Sequence, residues 1–129
     1  MKIRNGYVSN SSSSSYIIGV AQIKKEFVDK VKEFIETSKY IFEIVDGNDD
    51  FVYSDAFNDI DCAGLYVPKG DKALKFYDAK DCPCNDDGEI IKEPELHDFN
   101  GKIIQMFEDK EISNWFNDME YKIGTGFNG

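Results

Sequence analysis

The residues best equipped for chemistry in this chain are three thiols and one imidazole: Cys62, the pair in Cys82-Pro83-Cys84, and His97. Thiolate and imidazole together are the ligands of structural zinc, which takes four of them, commonly as two short-spaced pairs. Here only one pair is close, and its spacing is C-x-C, tighter than the usual two or more intervening residues. Cys62, Cys82, Cys84 and His97 therefore form a candidate zinc set, weighed against a polar loop with two incidental thiols and a buried Cys62. No C-x-x-C redox spacing is present.

Calcium chemistry fails on inspection. Asn85-Asp86-Asp87-Gly88-Glu89-Ile90 resembles the middle of an EF-hand loop. Counted from Gly88, however, the first ligand position is Pro83 and the twelfth is Pro94, so both essential oxygens are missing. An Asp-Gly turn before Ile90 explains the stretch. Nucleophilic catalysis would have to be built on His97, with Asp98 to orient its ring and a distant Ser or Cys to activate. Geometry decides whether such a partner meets it, and a lone His in a polar stretch is ordinarily solvated or capping, so no catalytic residue is assigned. Nor does any Gly-rich loop precede Lys-Ser/Thr, and Gly124-Thr125-Gly126 opens no helix, so a phosphate cradle is absent.

Charge is more informative. The chain has 129 residues and a net charge of −10. Such a surface repels phosphates and anionic lipid, which disfavours direct binding to a nucleic-acid backbone. The charge is also uneven. Residues 1–39 hold seven Lys/Arg against four Asp/Glu. Residues 40–68 hold seven acids and no base at all, and residues 69–129 hold fourteen acids against eight bases. Six aspartates of the base-free segment, Asp46, Asp49, Asp50, Asp55, Asp59 and Asp61, are a candidate acidic surface for a protein partner of opposite sign. In the extreme, such a surface imitates nucleic acid. The bland alternative is an acidic protein that simply keeps its charge away from zero.

A single domain of this length buries about two-thirds of the surface of its unfolded chain, so neither disulfide nor metal is required for folding. With 41% hydrophobic and 14% aromatic residues, the composition is that of a folded chain. The longest apolar runs, such as Ala63-Gly64-Leu65-Tyr66-Val67, are far short of the ~20 residues that span a bilayer. The basic N-terminus leads into serines, not into an apolar signal core, and an odd number of cysteines suits a reducing compartment. The expectation is a cytoplasmic protein.

The elements that must position these residues are partly legible. KIRNGYV (residues 2–8) and YIIGV (16–20) read as short strands, separated by the serine run 9–15, expected to be a flexible arm. Pairing of those serines into a sheet beside Tyr16 is the alternative. Ile23, Phe27, Val28, Val31, Phe34 and Ile35 share one face of a helix over about residues 23–39. Residues 40–45 and 51–53, joined through Asp46-Gly47, predict a hairpin. A second hairpin is predicted from Leu65-Tyr66-Val67 and residues 73–77, around Pro68-Lys69-Gly70-Asp71. Residues 78–88 read as polar loop. Ile103, Ile104, Phe107, Ile112, Trp115, Phe116 and Met119 predict helices over about 102–121, broken near Asp109-Lys110, and 124–129 reads as a mobile tail. The expected architecture is one α+β domain over 1–129: an antiparallel sheet of hairpin strands with these helices packed on it.

The opening Lys2-Ile3-Arg4-Asn5-Gly6-Tyr7-Val8-Ser9-Asn10, five further serines, then Tyr16 and Ile17, resembles the start of small uncharacterised proteins of tailed bacteriophages and prophages. Those open with a basic residue, Gly, an aromatic, Val-Ser-Asn, a serine run and another aromatic. The resemblance covers about residues 2–17 and implies a phage or prophage origin. It carries no assigned activity and no catalytic residue. Three classes follow: a non-enzymatic accessory protein that binds a host or phage macromolecule as inhibitor or modulator; a small virion component; and a small zinc protein using the Cys/His set. The acidic segment and the missing catalytic constellation favour the first.

Overall fold

Ile17, Gly19, Ala21 and Ile23 alternate with Tyr16, Ile18 and Val20, so one strand presents two apolar faces, and both need cover. The computed structural model, which describes residues 13–38, 40–47, 50–54, 63–81 and 94–127, meets that demand with three layers. Strand β1 (Ser13–Ile23) runs through the middle layer. Around it lie β2 (Phe42–Asp46), β5 (Lys72–Asp81) and β6 (Phe116–Phe127), all antiparallel to their neighbours, in the order β2-β5-β1-β6. A separate two-stranded ribbon pairs β3 (Asp50–Ser54) with β4 (Ala63–Val67). The architecture is α+β.

Helices cover one face of the four-stranded sheet. A 3-10 turn (Lys25–Phe27) leads into α1 (Val28–Ile35), and α2 (Gly101–Glu108) and α3 (Lys110–Ser113) follow a second 3-10 turn (Leu96–Asp98). Ile17, Ala21 and Ile23 meet Val31, Ile35, Phe42, Leu74, Phe76, Phe99, Ile103, Met106 and Phe116 in one buried cluster. On the opposite face Val20 and Ala73 pack with Val67, supported by Val45, Val52 and Leu65. The ribbon therefore lies on the side of the sheet away from the helices.

Several sequence expectations need correction. The first helix does not begin at residue 23, because Ile23 is the end of β1, paired with Lys72 and Phe116. Helical geometry starts at Val28, and only its inward residues Val31 and Ile35 are fully buried. The predicted helices over 102–121 end at Ser113. Trp115, Phe116 and Met119 leave the helix, and Phe116 and Met119 sit on β6. A period of two was present there: Met119, Tyr121 and Ile123 face the helices opposite Ala21, Gly19 and Ile17, while Asp118, Glu120 and Lys122 are exposed. The break near Asp109 is real. Its carboxylate accepts the N–H groups of Glu111 and Ile112 and so caps α3.

The tail and the serine run correct each other. Gly124 to Phe127 form the end of β6, paired with Tyr16, Ser15, Ser14 and Ser13. The part of the run from Ser13 to Ser15 is thus strand, and Ser15 is buried. Residues 9–12 and 128–129 lie outside the described residues, as does the strand expected over 2–8.

Strand pairing also departs from the hairpin expectation. Residues 42–46 pair with β5, Phe42 opposite Phe76 and Asp46 opposite Lys72, and not with 51–53. The Pro68–Asp71 turn exists, with the Asp71 N–H donating to the Pro68 carbonyl at 3.1 Å and Gly70 at φ 97°. Yet it joins strands of different layers. The Gly47 N–H donates to the Asp71 carbonyl at 2.8 Å, so β2 is held alongside the start of β5 as the chain leaves for the ribbon.

Residues 78–81, expected in a loop, extend β5. Asp78 uses that position: its Oδ2 accepts the N–H of Asn100 at 2.8 Å, and Asn100 caps α2 by accepting the Lys102 N–H. Beside it Tyr77, half-buried opposite Ile18, has its phenol raised above the ordinary range by burial and, secondarily, by the Asp78 charge. The folded state therefore holds this proton more tightly than the unfolded chain. Its contribution is complete below the ordinary phenol value of about 10 and lost as pH rises through the folded value. Tyr77→Phe should move the alkaline unfolding midpoint, followed by far-UV circular dichroism, to higher pH. An unchanged midpoint would show that another group sets that limb.

Candidate binding surface

The six aspartates do not form one described cluster. Asp46 ends β2 with its carboxylate 2.5 Å from the Lys72 ammonium of the paired strand. That hydrogen bond, and then the Lys72 charge, hold the Asp46 carboxyl below its ordinary value. Its charge is therefore largely answered within the fold. Asp50 has its backbone in β3, opposite Val67. Asp49, Asp55, Asp59 and Asp61 lie outside the described residues, and so do Cys62, Cys82 and Cys84.

His97 is the one member of the candidate zinc set that is described. It sits exposed in the second 3-10 turn, and its Nε2 lies 2.6 Å from Glu108 Oε2 at the end of α2. Among the described residues no group of three or more His, Cys, Asp and Glu side chains could hold a metal ion. An exposed pair of this kind ties the turn to the helix and contributes little stability.

What the fold does assemble is an aromatic face. In the ribbon register Phe51 stands opposite Tyr66, Val52 opposite Leu65, and Tyr53 opposite Gly64. Side chains alternate across a strand, so Val52, Leu65 and Val67 turn toward the sheet while Phe51, Tyr53 and Tyr66 turn away from it. The outward three are 54%, 53% and 55% exposed. Their rings touch: Phe51 meets Tyr66 edge-on at 6.4 Å between centroids and lies 6.0 Å from Tyr53 at a tilt of 40°. Such offset and edge contacts suit the ring quadrupoles and give the group a definite shape.

Gly64 makes this arrangement possible. A Cβ there would fall 2.9 Å from Tyr53 Cδ1 and 3.0 Å from Cε1, closer than packed carbons tolerate. The Tyr53 ring therefore lies across the ribbon in space that a side chain would otherwise take. By sequence pattern these residues read as ordinary hairpin strands. The available signal was parity: Phe51-Val52-Tyr53 and Leu65-Tyr66-Val67 place aromatics on one face and aliphatics on the other.

Among the described residues no second group of exposed aromatics adjoins it. Tyr40 is more exposed still, at 89%, but stands by itself in the turn before β2. Among the described residues no helix is long and apolar enough to cross a membrane. No model of a known protein family, no curated protein and no solved structure matches the chain.

Proposed function

We propose that this is a non-enzymatic binding protein, an inhibitor or modulator that engages a macromolecule through its acidic central segment, with the aromatic face of the β3–β4 ribbon at the centre of the contact. The observation that carries the reading is the outward trio Phe51, Tyr53 and Tyr66, each about half-exposed. Large aromatics gathered on a small ribbon are the residue types that interface cores favour, because they bury much area at little cost in side-chain entropy. Their position within residues 40–68, where seven acids meet no base, supports a partner with a basic surface. The opening residues 2–17 support a phage or prophage origin, and so a host or phage protein as the partner.

The test is a tagged pull-down from bacterial host lysate at low and high salt. The wild-type chain is compared with Asp49→Lys/Asp50→Lys/Asp55→Lys and with Phe51→Ser/Tyr66→Ser. One dominant, salt-sensitive protein held by the wild type and lost from both variants is the expected result. Capture unchanged by the charge reversal would sink the acidic surface, and capture unchanged by the aromatic substitutions would sink the ribbon.

A further inference from the structure

We infer that the protein forms a two-fold dimer through the outer edge of β6, with Tyr121 set opposite Tyr121 of a second copy. The inference goes beyond the binding reading above and does not rest on the ribbon. It follows from the exposure of that edge, the placement of its charges, and the register in which the strand complements itself.

Among the described residues β6, 12 residues long, pairs on one side only, with β1. A long strand at the border of a sheet presents a row of backbone N–H and C=O groups on which another strand can form. The side chains mark the same border. Glu120, Tyr121 and Lys122 are all exposed, although successive side chains of a strand point to opposite faces. Tyr121 is 46% exposed even with its ring 4.7 Å from that of Phe107 in α2. In β1, by contrast, every residue from Ser15 to Ala21 is buried. Neither the helices nor the ribbon closes over residues 120–122.

The sequence of this edge complements itself. A two-fold axis perpendicular to the sheet pairs the strand antiparallel with its copy and keeps each face with its like. Centred on Tyr121, the axis sets Glu120 opposite Lys122 twice and Met119 opposite Ile123 twice. Asp118 then falls opposite Gly124, so no acid meets an acid. Directly opposed side chains lie about 4.5–5.5 Å apart at Cβ, where unlike charges attract and apolar groups touch. The apolar pairs share the helix side, where Met119 and Ile123 already pack against the core. Moving the axis one residue either way opposes Glu120 to Glu120 or Lys122 to Lys122. An ammonium has three donors, so Lys122 can hold this contact together with others.

The net charge of −10 opposes association of like molecules at long range. At about 150 mM salt that repulsion fades over about 8 Å, whereas the Glu120–Lys122 pairs act at contact. One strand edge is a small interface, which suits a dimer that forms at micromolar concentration. A foreign strand could use the same backbone groups. A second copy, however, brings Lys to Glu120 and Glu to Lys122 by symmetry alone.

Sedimentation velocity of the full chain over about 5–300 µM, at about 150 mM salt, should show a monomer–dimer equilibrium. Glu120→Lys and Lys122→Glu each oppose like charges twice and should weaken the dimer about tenfold or more. Glu120→Lys also reduces the net charge from −10 to −8, so general repulsion by itself would strengthen association, not weaken it. Mixed in equal amounts, the two variants should recover a heterodimer, because each then meets the opposite charge at both positions. Glu120→Lys/Lys122→Glu should dimerise within about threefold of the wild type, by the same pairing. Both positions are exposed, and circular dichroism checks that each variant folds. A chain monomeric at every concentration would overturn the dimer, and that is also the result if a foreign strand is the true occupant. A dimer indifferent to both single variants, or variants that stay apart on mixing, would overturn it equally.

Discussion

Phe76→Ala is expected to cost about 3–5 kcal/mol, the range for removing a fully buried phenylalanine without collapse of the site. Phe76 is 1% exposed and lies in one row across the sheet, between Phe42 of β2 and Gly19 of β1. Its ring meets Phe107 of α2 edge-on at 5.9 Å, and Phe107 in turn lies 4.7 Å from Tyr121 of β6. One side chain therefore connects three strands and a helix. The ring reaches over Gly19, where a Cβ would fall 2.3 Å from Phe76 Cζ and 2.7 Å from the Glu120 carbonyl oxygen. Gly19→Ala should accordingly cost about 3 kcal/mol, at the upper end for overpacking, since backbone on the far side restricts its escape. The double variant should be less unstable than the two single costs added, because removing the ring relieves part of the clash. Urea unfolding of the four proteins measures this cycle. Simple additivity would mean that Gly19 is not held against that ring.

A chain ended at Ile123 should lose about 2–3 kcal/mol and melt roughly 10 °C lower, taking about 4 °C per kcal/mol for a domain of this size. Truncation removes the pairing of Gly124, Thr125, Gly126 and Phe127 with Tyr16, Ser15, Ser14 and Ser13. It also uncovers Tyr16, which is 6% exposed and whose hydroxyl oxygen approaches within 2.9 Å of the place a Gly124 Cβ would take. Amide exchange at Ser14 to Tyr16 should speed up with the loss, while exchange in α2 should change little. A truncated chain with wild-type stability would return residues 124–127 to the status of a dispensable tail.

The departures of the fold from local sequence pattern share a cause. Trp115, Phe116 and Met119 have helical spacing, but the short alternation Met119, Tyr121, Ile123 reports their surroundings correctly, because β1 offers those residues an open edge to pair with. The same edge orders Ser13 to Ser15, residues whose own propensity is for loops. At the ribbon, the acids are visible as a segment lacking any base, whereas the aromatic trio is marked only by parity. Parity separates the two faces of a strand. It does not tell which face a second layer will cover, and here that depends on Val20 and Ala73, distant in the chain.

What the sequence determined by itself is therefore local. Composition and charge set a folded chain with an acid-rich middle, the mix of strand and helix signals set the α+β class, and helical periodicity located the buried side of α1. The Pro68–Asp71 turn was legible because Pro and Gly restrict or free their own backbone angles. The tertiary structure alone decided that this turn changes layer, that β2 joins β5 and not β3, and that Phe51, Tyr53 and Tyr66 face outward. Those outcomes rest on contacts between residues far apart in the chain. A period of two shows that a strand has two sides, and only the neighbour it finds decides what each side meets.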